Sequence, residues 1–188
     1  LKILVFLISL IFFGIASAQD RYIAKIAVVD IESVLENSLA ITSIKKSVNV
    51  LSQNIQEDIS KQEKELKAHE QKLLEVQKTM SQEKFDSLVA KFNKDVSRTK
   101  KNIQLRKIAL EQAHSQSIQV VHQKIISIIS ELAKDYNLNI VLPSSQVLYI
   151  TSELNITLEV ISKLNDSLKE VPVNYQKFLK NQLLLSKR

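Results

Sequence analysis

The sequence predicts an α+β chain that is mostly α, in which a long helical hairpin with coiled-coil patterning projects as an arm from a small β-sheet body. Three observations predict it. Residues 31–132 contain neither proline nor glycine and are rich in Lys, Glu, Gln, Leu, Ile and Ser, a composition that over such a length favours helix. Within that stretch apolar residues recur at alternating steps of three and four, as in an imperfect heptad seam. Short β-branched runs stand on either side of it, so the helical part begins and ends at a common β-containing base.

The first segment, residues 1–18, has a cationic start at Lys2, an apolar run and the small-residue ending Ala16-Ser17-Ala18. This is the layout of a secretory signal peptide, with cleavage expected after Ala18 and the periplasm as the expected location. The apolar run is shorter than the ~20 residues needed to span hydrocarbon, which counts against an uncleaved anchor. Removal of the segment takes away Gly14, the only glycine of the 188 residues, and cysteine is absent throughout. Phosphate-cradling loops, dinucleotide turns and nucleophile elbows all place glycine where the backbone needs positive φ or close approach, so nucleotide chemistry is not expected. Without disulfides an exported chain of this size depends on packing or on association with other chains.

Residues 22–30, Tyr-Ile-Ala-Lys-Ile-Ala-Val-Val-Asp, read as a strand buried on both faces. The ascending helix carries its seam at Ile44, Val48, Leu51, Ile55, Ile59, Leu66, Leu73 and Val76, with Gln62 and His69 at intermediate seam places. Across residues 78–83 the rhythm lapses into Lys-Thr-Met-Ser-Gln-Glu, and it restarts with Phe85, Val89, Phe92, Val96, Ile103 and Leu110. A turn at the lapse folds the segment into a hairpin, with one continuous helix as the alternative. The descending helix is then ~50 residues, or ~75 Å. Its last third, with Ile118, Val121, Ile125, Ile126, Ile128, Ile129 and Leu132, is the most apolar part and should lie buried at the base.

Residues 137–142 and 147–151, separated by Pro143-Ser144-Ser145-Gln146, read as a β-hairpin able to pair with the first strand. A short capped helix follows, with Ile156, Leu158, Val160, Ile161 and Leu164 apolar. The organisation is a signal segment at 1–18, a body built from 19–43 and 134–170, an arm at 44–133 and a basic tail at 171–188 interrupted by Pro172. Three strands and one short helix bury little surface, and the arm's thin seam wants neighbours, so self-association is expected.

The order of these elements resembles the Skp (OmpH) family of periplasmic chaperones, over nearly all of the mature chain to about Leu168. The specific signals are the opening Lys25-Ile26-Ala27-Val28-Val29-Asp30 and the closing stretch 149–164 with Glu153-Leu154-Asn155-Ile156-Thr157. The resemblance implies a homotrimer whose strands assemble a central body, Ile26, Val28, Val29, Ile140, Val141, Val147 and Tyr149 among them. It also implies three arms that enclose unfolded outer-membrane β-barrel proteins without ATP. Residues beyond Val171 have no clear counterpart in that pattern, and 172–188 read either as a disordered tail or as an additional helix.

The net charge of +6 favours acidic partners, and export argues against nucleic acid. Between Lys61 and Lys107 stand thirteen Lys or Arg and seven Asp or Glu, so the excess positive charge lies on the arm. Lys91, Lys94, Arg98, Lys100, Lys101, Arg106 and Lys107 are densest, opposed only by Asp95, and are the candidate client-binding cations. Each alone reads as well as a solvated helix face. As a group they supply the long-range, salt-screened attraction that a holder of many clients needs. Met80, Phe85 and Phe92 would add apolar contacts near the tip, although the seven-residue separation of the two phenylalanines also fits seam packing within the hairpin.

Some members of the resembled family are thought to bind lipopolysaccharide through a basic cluster, and Lys100, Lys101, Arg106 and Lys107 stand in for it here without residue-by-residue correspondence. Anionic lipid is therefore a candidate partner. No metal or cofactor is expected: His114 and His122, eight residues apart on one helix, are ~12 Å from each other, too far to share an ion. Asp30 and Glu32 stand at a strand end and first helical turn, where acids favour the helix dipole, and read as capping rather than catalysis. The chain is expected to be no enzyme. The alternative function is a structural coiled-coil protein of the envelope, without chaperone activity.

Overall fold

The computed structural model describes residues 23–186. The expected signal segment and Tyr22, the first residue of the expected strand, lie outside the described residues. The chain runs β1 (Ile26–Val29), α1 (Ile31–Glu36), α2 (Leu39–Val76), α3 (Gln82–Asp135), β2 (Ile140–Pro143), α4 (Thr157–Ser167) and α5 (Tyr175–Leu185), with single 3₁₀ turns at Ser144–Gln146 and Ser152–Leu154.

Ala27, Val28 and Val29 are all buried, and because successive strand residues face opposite sides, β1 is covered on both faces by its own chain. The strand ends at Asp30, whose Oδ1 accepts from the Ser33 amide at 3.0 Å and caps α1. The expected capping role of Asp30 is therefore met in geometry. Its own amide donates to Thr157 Oγ1 at 2.9 Å, tying the strand end to the start of α4.

The expected uninterrupted helix from residue 31 to the turn is broken once, at Asn37 and Ser38. Ser38 is buried and its Oγ accepts from the Ile41 amide at 3.3 Å, so it caps α2 as a new helix. Asn165 of α4 satisfies the exposed backbone of the break, accepting from the Leu39 amide at 2.8 Å and donating to the Asn37 carbonyl at 3.1 Å. The polar pair Asn37-Ser38 was the available signal, a cap written inside a long helical composition.

The hairpin forms, with its turn at residues 77–81, where the apolar rhythm lapses. The Thr79 amide and hydroxyl both donate to the Val76 carbonyl at 3.1 Å, and the Phe85 amide donates to the Ser81 carbonyl at 3.0 Å, so side-chain and main-chain bonds close the turn without glycine or proline. α3 has 54 residues and is ~80 Å long. Val121, Ile125, Ile128 and Leu132 line its buried base and pack with Val34, Ala40, Ile41, Ile44, Val160 and Leu164 into the main core. Ile126, expected in that core, points outward and is exposed.

α3 ends in a Schellman motif. The Leu138 amide donates to the Ala133 carbonyl at 2.7 Å and the Asn137 amide to the Lys134 carbonyl at 3.2 Å, while Asn137 takes φ 53°, the left-handed turn that asparagine tolerates where no glycine is available. Residues 137–139 are thus a helix cap and connector, not strand. β2 begins at Ile140 and pairs parallel with β1, in the register Ile26 to Ile140 and Val29 to Pro143. The whole hairpin is the crossover between these two parallel strands.

The expected β-hairpin at 137–151 is not formed. After β2 the chain takes a 3₁₀ turn at Ser144–Gln146, and residues 147–151 run without a strand partner among the described residues. Tyr149 is 83% exposed and Leu148 fully so. Pro143, in the last position of β2, cannot donate an amide to a further strand. On its other side β1 is bridged by Asn155, and its Val28 carbonyl accepts from the Ile156 amide at 3.0 Å. Of the two readings of the basic tail, the helix holds over Tyr175–Leu185, which form α5 packed along the arm.

Candidate functional site

Two surfaces carry the features that the sequence singles out, one on the arm and one at the base. On the arm, the side of α3 that faces α2 is set by Phe85, Val89, Phe92 and Val96, all half-buried. Lys91, Lys94, Arg98 and Lys101 follow one another at steps of three, four and three, and at about 100° per residue they fall on roughly the opposite side of the helix. All four are exposed, so the seam itself directs the cations away from the hairpin partner.

The other three candidates differ in setting. Lys100 and Lys107 are exposed but lie towards the seam edge. Arg106 is half-buried, and its Nη1 donates to Asp58 Oδ2 of α2 at 2.7 Å. Its expected place among the client-facing cations is thus filled by an ion pair that joins the two arm helices. Lys101 Nζ donates to the Ser186 carbonyl at 2.9 Å, and Arg98 pairs with Asp95 at 2.9 Å. Lys91, Lys94, Lys100 and Lys107 have no ion pair or hydrogen-bond partner among the described residues. Exposed pairs such as Arg98 with Asp95 hold side chains loosely and leave their charge accessible.

Of the apolar candidates, Phe92 meets the ring of His69 edge-on, with centroids 5.6 Å apart and an 86° interplanar angle. Phe92 thus packs within the hairpin, as its seven-residue repeat with Phe85 allowed, and His69 holds the facing seam place. Met80, at the turn, and Phe85 are half-buried.

At the base the body residues divide into two groups. Val28 and Val29 are buried by their own chain, so they do not need a second subunit for cover. Ile26 and Ile140 face each other in the strand register and are exposed, Ile140 at 45%, while Val141 and Val147 are half-buried. With Leu148, Tyr149, Leu154 and Leu158 they leave several large apolar side chains on the surface of the base. The composition of residues 147–150, Val-Leu-Tyr-Ile, was the signal for this rim, because an exposed unpaired segment carries the same apolar run as a hairpin strand.

Around this rim the titratable groups are tied to structure. The Tyr136 hydroxyl donates to Glu159 Oε1 at 2.6 Å, linking the end of α3 to α4, and that bond to a carboxylate raises its pKa above the usual value. The Thr151 hydroxyl beside Glu153 holds its carboxyl below the usual range. Asp30, Ile31, Glu32 and Leu35 line an open cleft of about 490 Å³ with Pro143, Ser144 and Ser145, in which one Asp30 oxygen is occupied by capping. His114 and His122 are both exposed on α3.

With this architecture in place, the likeness to known proteins is clear. The family profile "Outer membrane protein (OmpH-like)" matches residues 25–164. The chain belongs to that family. The crystal structure of a Caulobacter crescentus CB15 protein, assigned as an outer membrane chaperone (OmpH-like), superposes with a TM-score of 0.73 at 15% identity, covering 80% of this chain and 89% of that one. At that identity the likeness is one of fold. No curated protein sequence matches the chain.

Proposed function

We propose that this chain is an exported, non-enzymatic holding chaperone of the periplasm, which acts as a homotrimer and keeps unfolded outer-membrane β-barrel proteins soluble without ATP. The observation that carries the reading is the pairing, in one OmpH-like chain, of a long arm whose free face is cationic with a base that leaves apolar side chains exposed.

The base supports self-association on two counts. β2 is the edge of a two-stranded sheet, and an open edge is a template for pairing with another chain. Beside it, Ile26, Ile140, Leu148 and Tyr149 offer the apolar surface that an interface between subunits would bury. Val147 and Tyr149 serve the trimer body through this rim, while Val28, Val29 and Val141 support it from within each chain.

The arm supports client capture. Lys91, Lys94, Lys100 and Lys107 present exposed charge to a cavity between arms, with Arg98 and Lys101 exposed beside them, and such attraction is long-ranged and indifferent to client shape. Met80 and Phe85 add apolar contact near the turn, and anionic lipid or lipopolysaccharide is a second ligand for the same cations.

The test is the solution mass of the signal-free protein by light scattering, with and without a urea-diluted outer-membrane β-barrel. A trimer that takes up one barrel and keeps it in solution is the expected result. A monomer or dimer indifferent to the barrel would overturn it and favour a structural coiled-coil role.

A further inference from the structure

The family match ends at residue 164, yet the chain continues into a segment that packs on the arm. Val171 is buried in the main core, and Tyr175 is buried against Ile55 and Ile59 of α2 and Ala109 and Ala113 of α3. α5 therefore packs along α3, and Tyr175 joins it to the cluster shared with α2. It comes close to α3 because Ala109, Ala113 and Ser117 recur every four residues and present little bulk on one stripe.

Polar bonds fix the segment along its length. Ser117 Oγ lies 3.0 Å from the Pro172 carbonyl and 2.9 Å from that of Ala113, Gln182 Nε2 donates to Gln112 Oε1 at 3.0 Å, and Lys101 Nζ donates to the Ser186 carbonyl at 2.9 Å. The contacts step from Ser117 down to Lys101, so the segment from Pro172 to Ser186 follows ~24 Å of α3 outward, α5 itself accounting for ~16 Å. Beyond that reach the arm has two helices only. Between residues 61 and 108, Leu73 is the one buried hydrophobic among the described residues.

A two-helix ribbon is thin in one direction and opens wherever its seam is weak. A third helix laid along α3, with Tyr175 in the buried cluster that α3 shares with α2, gives the arm depth in that direction and covers that part of the seam. We propose that residues 171–186 are a built-in strap that locks the inner half of the arm, so that opening and bending are confined to the outer half and its turn. The strap rests on packing within one chain and is independent of any chaperone activity.

Hydrogen exchange on the full chain and on a chain ending after Val173 tests it without a client. The shortened chain keeps Val171 in the core. Amides of residues 51–60 and 103–117 should exchange ~10-fold faster or more once α5 is gone, while residues 70–95 and the body strands keep their rates. Unchanged rates at 51–60 and 103–117 would overturn the strap, and so would an equal gain along the whole arm. If the body loosens as well, Tyr175→Ala decides. That variant removes only the buried ring, and it must speed the same two segments or the proposal falls.

Discussion

The base of the arm and its outer half are made from the same two helices, yet they hold together by different means. At the base, Val121, Ile125, Ile128 and Leu132 of α3 meet Ile41 and Ile44 of α2 and the side chains of α4, and almost none of that apolar surface remains in water. In the outer half the seam is Leu73, His69 against Phe92, and a set of half-buried residues, while the remaining surface is charged. One long helix can thus be core at one end and solvated rod at the other. Stability is concentrated at the base, which leaves the outer half free to present charge.

The contrast breaks most severely at β1. Val28→Asp places a carboxylate at a site only 2% exposed and is expected to cost about 4 kcal/mol or more, abolishing the cooperative melting transition. Ile140→Asp, in the neighbouring strand but 45% exposed, is expected to leave circular dichroism and melting nearly unchanged while the proposed trimer is lost on sizing. Equal damage from both would show that the base does not divide into a self-buried part and an interface part.

A smaller effect compares the two ends of the arm. Leu132→Ala, at a position 1% exposed, is expected to lower stability by about 2–5 kcal/mol in urea titration. Leu74→Ala, at a position 63% exposed in the outer half, should change it by less than about 0.5 kcal/mol.

Charge on the outer half can be altered without touching either seam. Replacing Lys91, Lys94, Arg98 and Lys100 by Gln, which leaves Lys101 on the Ser186 carbonyl, is expected to weaken client capture about 10-fold at low salt, with little loss at ~1 M salt, where the Debye length is about 3 Å, and no change in melting or in solution mass. Client affinity that ignores both the substitutions and the salt would remove the electrostatic part of the proposed function.

The mildest probe is pH, and it reads the strap. Burial pushes the Tyr175 hydroxyl above the usual value of 10.0, Asp58 adds to that rise, and Arg106 opposes it. Because the folded value is the higher one, this contribution to stability is complete below pH 10.0 and fades as pH climbs through the raised value. Alkaline titration should therefore lower protection at residues 103–117, measured against the base-catalysed intrinsic exchange rate, and Tyr175→Phe should remove that loss.

How much was legible follows from the range of the interactions that write each element. The hairpin turn showed as a lapse of apolar rhythm at residues 78–83, and the structure turns at 77–81. The dual burial of β1 was visible in Ala27-Val28-Val29, and Asp30 was readable as a cap. The break at Asn37 and Ser38 was missed because its stabilising partner, Asn165, lies more than a hundred residues away. The expected hairpin at 137–151 failed because Asn137 is used as a helix cap and β2 is drawn to β1 instead of to its sequence neighbour. The basic cluster was seen as one group, but its division into exposed Lys91 and Lys94 and ion-paired Arg106 depends on where Asp58 stands in the facing helix.

By itself the sequence determined the helical content, the hairpin, the cationic arm and the apolar base, because these follow from propensity, period and charge within a few turns of chain. The long-range contacts settled that the two strands run parallel, that residues 147–151 stay unpaired among the described residues, and that the final segment is a helix laid along α3. Those outcomes depend on contacts between residues 50 to 130 positions apart, for which no local pattern in the chain carries a record.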